Sequence, residues 1–193
     1  GQDARVVLDD EGKNLVLRKI AGECEKDLKV FKGNLKKQGY ISEVKSVLSE
    51  FAQYGVDFER LDDFMKEVPP ESYLHYKLDD IRTIYEKFEE YSSEKYITKE
   101  EMLDVLSDAV PYSDILKGSV VAMDGFTGFT PVQNRLIGEL FSVCEKVMIT
   151  VTMDGRENPY VYEHPYQIFA LGKQMVTSLM KIAGEKKTEI EEP

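Results

Sequence analysis

The chain has 193 residues, 42% of them hydrophobic and 32% charged, which is enough for one sizeable core or two small ones. It holds no apolar run of about 18 residues and opens with no charged–apolar–small pattern, so neither a membrane span nor a secretory leader is expected. The formal net charge of −11 opposes nonspecific phosphate binding by the chain as a whole while leaving room for a local basic face.

The first 110 or so residues read as helices only. Asp9 or Asp10 is placed to cap a helix carrying Leu15, Val16, Ile20 and Cys24 on its apolar side. Between that helix and the next lie Lys26, Lys29, Lys32, Lys36 and Lys37, with Asp27 the one acid among them. Lys29, Lys32 and Lys36 share helical spacing, although Gly33 is suited to break such a helix. These lysines are candidates for phosphate contact, or simply a solvated surface. A helix from about Ser42 buries Val44, Val47, Leu48 and Phe51 and stops at Gly55. A short helix from Phe58 to Lys66 ends before Pro69-Pro70. The next carries Leu74, Leu78, Ile81, Tyr85 and Phe88 as one stripe. Thr98-Lys-Glu-Glu101 is a capping box opening a further helix, with Met102, Val105 and Leu106 buried.

The pattern changes near Pro111. Ser119–Met123 is a short apolar run between Gly118 and Asp124-Gly125, and reads as a buried strand. Thr130 caps the following helix, Pro131 takes its first position and Gln133 closes a capping box, with Leu136, Ile137, Leu140 and Phe141 facing inward. Val147–Thr152 is the next strand, so a parallel βαβ unit is expected. The last helix is read over Tyr166–Ala183. Two parallel strands make a narrow sheet, and further strands are expected from elsewhere in a larger protein. The start Gly1-Gln2-Asp3, without an initiator Met, agrees with an excised piece.

Cys24 and Cys144 lie far apart and form no Cys-x-x-Cys pair, so two packed free thiols are expected and no zinc or iron–sulfur site. His75 and His164 lack metal-type neighbours and read as surface or interface residues.

Val120–Gln133 is the most informative segment. An acid at the carboxyl end of an apolar strand is where P-loop nucleoside triphosphatases hold magnesium, because the carboxylate faces the crevice where phosphates lie. Asp124 occupies such a place and is a candidate cofactor and metal residue. A working enzyme follows that Asp with a Glu that handles the attacking water, whereas here Gly125 follows. A plain strand-to-turn junction explains Asp-Gly equally well at this level. A magnesium-dependent phosphohydrolase would need a second acid beside Asp124, for which Asp154 is the available residue. Phe126 and Phe129 are suited either to stacking on bases or to packing the loop.

The string Asp124-Gly-Phe-Thr-Gly-Phe-Thr-Pro131, with its helix and following strand, resembles the AddB subunits of bacterial AddAB helicase–nucleases. That family carries Asp-Gly-Phe-x-x-Phe-Thr-Pro where related superfamily-1 helicases carry Asp-Glu-x-x-Asp. Leu28–Lys32, Leu48–Gly55, Leu78–Ile81, Ile84–Glu86 and Tyr160–Tyr166 are similar to its flanking parts. The resemblance implies a 1B-like helical insertion over 1–112 and part of a helicase-like α/β domain over 113–193, with the phosphate-loop strand missing. No Gly-x4-Gly-Lys-Ser/Thr motif occurs in the sequence. The strand Val147–Thr152 takes the place of a helicase motif ending in Gln, yet continues Met153-Asp154-Gly155-Arg156. The resemblance therefore implies a noncatalytic module of a cytoplasmic heterodimer that repairs double-strand breaks, with a role in DNA contact, Chi recognition and subunit assembly. It implies an AddA-type partner, DNA, and no membrane. It implies no cofactor in this segment, with ATP, magnesium and an iron–sulfur cluster belonging to the parent subunit. A helical protein-interaction domain without a nucleic-acid role is the competing expectation.

Overall fold

A computed structural model describes residues 5–35 and 37–191. It shows a mixed α/β chain, mostly helical, with two small parallel sheets. The chain packs as two compact units, residues 1–102 and 103–193.

In the first unit, β1 (Val6–Leu8) leads into α1 (Asp10–Cys24). Asp9 caps α1 by accepting the Gly12 N–H at 2.7 Å. α2 (Gln38–Tyr54) ends at Gly55, whose φ of 63° forms the left-handed stop that glycine adopts without cost. α3 (Phe58–Glu67) is capped by Asp57, and α4 (Tyr73–Ser92) by Ser72. β2 (Tyr96–Thr98) follows, and α5 (Lys99–Ala109) begins at the expected capping box. There the Thr98 N–H donates to Glu101 at 2.6 Å and the Glu101 N–H to the Thr98 hydroxyl at 3.3 Å. The core gathers Leu17, Ile20, Cys24, Leu28, Phe31, Ile41, Val44, Ile84 and Phe88.

The helices-only expectation is corrected by β1 and β2, which pair in parallel with Val6 opposite Tyr96 and Leu8 opposite Thr98. Each has three residues, too few to show a period, and their pairing joins distant parts of the unit. Three expected core leucines are exposed, namely Leu15 at 67%, Leu74 at 48% and Leu106 at 45%. Leu17 and Ile84 take the inward places instead, while in α5 only Ser107 is buried. Residues 25–35 form turns and not a helix, so helical spacing does not align Lys29 and Lys32, and Gly33 adopts a φ of 74°. Lys36 lies outside the described residues.

In the second unit, a short 3-10 turn at Val110–Tyr112 precedes β3 (Val120–Met123), α6 (Pro131–Val143) and β4 (Lys146–Ile149). β3 and β4 are parallel, with Val120 opposite Lys146 and Met123 opposite Ile149, as expected for a βαβ unit. The expected burial of β3 is corrected. Val121, Met123, Val147 and Ile149 are half-buried, whereas Val120, Ala122, Lys146 and Met148 on the other face are exposed. A two-stranded sheet with one covered face leaves its alternate residues in solvent. α6 packs on β4 and on α7 (Ala170–Lys186). α7 starts later than expected because Gln167 folds the preceding stretch into a turn. Its side chain accepts the Glu163 and His164 N–H groups at 2.8 and 3.0 Å, and Phe169 at φ 61° redirects the chain into the helix. Tyr166, expected in the helix, is 93% exposed.

Cys24 is buried, Cys144 is half-buried, and both are free thiols. No helix among the described residues is long and apolar enough to cross a membrane.

Candidate functional site

Asp124 stands just past the carboxyl end of β3 and is exposed. The parallel register continues one step beyond the strands, where the Thr150 N–H donates to the Met123 carbonyl at 3.0 Å. This places the Thr150 hydroxyl, which donates to a carboxylate oxygen of Asp124. Asp124 is therefore already engaged across the strand ends.

Gly125 follows with φ 79°, a backbone region that side-chain-bearing residues rarely occupy. The position differs from a catalytic Glu in two ways: it has no carboxylate, and its backbone turns where a Glu would be strained. Apart from the glycine and its two chain neighbours, no heavy atom lies within 4 Å of a Cβ added there, so the strain comes from the backbone alone. Gly125→Ala is expected to cost roughly 1–2 kcal/mol, read as a lowered melting temperature with an unchanged circular dichroism spectrum. An unchanged melting temperature contradicts this turn.

Beyond Gly125, Phe126 and Phe129 pack on each other with ring centroids 5.0 Å apart and planes tilted by 35°. Phe126 remains 43% exposed, so one ring supports the other at the surface. The loop ends in the expected capping box, with the Thr130 N–H donating to Gln133 Oε1 at 2.9 Å and the Gln133 N–H returning to the Thr130 hydroxyl at 3.4 Å.

Asp154 is committed elsewhere. Arg156 donates to it from its backbone at 3.0 Å and from its guanidinium at 2.6 Å, and these bonds hold the carboxyl below the usual carboxylate range. Among the described residues, no group of three or more His, Cys, Asp or Glu side chains converges to hold a metal ion.

The lysines sit in the segment between α1 and α2. Lys29 is half-exposed, pairs with Asp79 at 2.9 Å and lies 4.9 Å from the centre of the Tyr76 ring. The hydrogen bond to Asp79 raises its pKa further. Lys32 is exposed, and Lys37 donates to the Asn34 side chain at 3.2 Å. The sequence reading missed what holds this loop. Asp80, 1% exposed, accepts the backbone N–H groups of Lys29, Val30 and Phe31 at 2.8, 2.7 and 2.8 Å. The signal was present, since Asp80 shares the spacing of Ile84 and Phe88 and so lies on the buried face of α4. Lys13 carries the same signal beside Val16 and Leu17. It is buried, donating to Glu100 at 2.7 Å and Ser49 at 3.1 Å.

These features define a mixed α/β chain whose parallel βαβ unit carries, after its first strand, an acid, a left-handed glycine and an aromatic pair. The chain belongs to the family described as "ADDB, N-terminal", whose model matches residues 1–193. It is 39% identical over its full length to an ATP-dependent helicase/deoxyribonuclease subunit of Lachnoclostridium phytofermentans, covering 17% of that protein. It is 32% identical over 94% of its length to the protein of the same description from a Thermoanaerobacter species, covering 16% of it. The Clostridium acetobutylicum protein of that description is 29% identical over the whole chain, which again covers 16% of it. The chain thus spans about a sixth of the length of these relatives.

Proposed function

We propose that this chain is the noncatalytic, helicase-like module of an AddB-type subunit of an ATP-dependent helicase/deoxyribonuclease acting in double-strand-break repair and recombination. The observation that carries the reading is the end of β3. An Asp stands where a motor holds magnesium, but its carboxylate accepts the Thr150 hydroxyl, and a left-handed Gly125 occupies the catalytic acid's place. The missing acid removes the activator of water, so chemistry at this site is not its task. The parent subunit would pair with an AddA-type subunit in the cytoplasm, use ATP, magnesium and an iron–sulfur cluster held by other segments, and take part in Chi recognition. In this reading β3 and β4 belong to a wider P-loop sheet. The exposed face carrying Val120 and Met148 supports this, because parallel sheets are ordinarily covered on both faces.

The residues proposed to meet DNA phosphates are Lys29, Lys32, Lys36 and Lys37 of the first unit. In the second unit, Phe126 by itself offers a ring to an unstacked base. Lys29 would exchange its surface pairing with Asp79 for a phosphate, an inexpensive trade in solvent. Asp124 could still accept magnesium if the Thr150 hydroxyl turned away. Salt-dependent binding of a single-stranded oligonucleotide tests the reading. Absence of binding at low salt favours a helical protein-interaction domain instead.

A further inference from the structure

We infer that Asp80 is the positioning residue of a preformed, cationic phosphate-contacting loop. The inference rests on the proposed DNA-contacting role of the lysines and explains how they are presented.

The loop is two-sided. Leu28, Phe31 and Leu35 are buried in the core of the first unit, while Lys29, Lys32 and Lys37 lie in solvent. A segment without helix or strand must satisfy its inward N–H groups some other way. Here three consecutive N–H groups, from Lys29 to Phe31, converge on one carboxylate. That carboxylate is buried, and charge-assisted bonds of this kind are about twice as strong as neutral ones. The turn then closes on itself, the Asn34 N–H donating to the Phe31 carbonyl at 2.9 Å and Gly33 supplying the left-handed step.

The Asp80 carboxylate is turned inward onto these amides, although its charge still reaches the Lys29 ammonium. On the surface Asp79 pairs with Lys29, and Asp27 is an exposed acid of the same segment. A loop held in one shape before binding loses little freedom on meeting a strand, so more of each lysine–phosphate contact appears as affinity.

Two measurements test this. Amide hydrogen exchange on the wild-type chain, with and without a single-stranded oligothymidylate, should show Lys29, Val30 and Phe31 protected in the free protein and unchanged on binding. Amides that exchange freely and gain protection only with the oligonucleotide overturn the preformed loop, and this arm needs no variant. In the second arm Asp80→Asn, checked for native helicity, should lose protection at those amides and bind the oligonucleotide about tenfold more weakly, while Lys32 and Lys37 remain intact. A folded Asp80→Asn chain with exposed amides and wild-type affinity overturns the role of Asp80. Failure of the wild-type chain to bind at all overturns instead the DNA-contact reading beneath it.

Discussion

Lys13→Ala is expected to destabilise the first unit by about 3–5 kcal/mol, because it leaves the Glu100 carboxylate buried without its partner. The Lys13 and Glu100 side chains are 6% and 12% exposed, so water replaces the lost ammonium only in part. The pair ties α1 to the start of α5, and Ser49 of α2 accepts a second Lys13 proton. Replacing both charges together, as in Lys13→Met with Glu100→Leu, should recover most of the loss, since the desolvation of two ions disappears with them. The pH dependence has a definite sign. Burial alone would raise the Glu100 pKa, but the hydrogen bond and charge of Lys13, together with hydrogen bonds from the backbone and Ser49, outweigh it and hold the carboxyl below its ordinary value of 4.5. A carboxyl depressed in the folded state contributes its stability above the ordinary value and loses it as pH falls through the folded one. Acidification should therefore narrow the gap between wild type and Lys13→Ala in urea denaturation. A neutral-pH difference under about 1 kcal/mol contradicts this account of the pair.

Reversing Lys29, Lys32 and Lys37 together to Glu should reduce affinity for single-stranded DNA by at least about a hundredfold at low salt. Three phosphate contacts contribute about −2 to the slope of log affinity against log salt on a single strand. A fourfold rise in salt then weakens the wild-type chain about 20-fold through these contacts alone, and the reversed chain should lose that sensitivity. The chain's net charge of −11 opposes nonspecific attraction of a polyanion, so a salt-dependent contact has to come from a local basic face. Fluorescence anisotropy across a salt series reads both quantities. Equal slopes for the two chains would remove the lysines from the interface.

What the sequence disclosed, and what it concealed, follows from interaction range. The α6 start was legible because Thr130, Pro131 and Gln133 act on backbone within one turn. The acid-tipped strand was legible because Val120–Met123 and Asp124-Gly125 are contiguous. The Thr150 bond to Asp124 was not, since it depends on the register that sets Met123 opposite Ile149. β1 and β2 escaped for the same reason, each being three residues long and stabilised only by a distant partner. Lys13 and Asp80 were partly legible, because each breaks an apolar face at helical spacing. Their partners were not, since Glu100 and the amides of Lys29–Phe31 arrive from other elements. The lysine spacing misled because a helical period was laid over residues that fold as turns around Asp80.

On the proposed reading this chain holds an acid at its strand end without turning over nucleotide. The most direct measurement is steady-state ATP hydrolysis by the purified chain with magnesium and single-stranded DNA, for wild type and Asp124→Ala side by side. Background rates are expected for both. Robust hydrolysis by the wild type that Asp124→Ala abolishes would contradict this reading.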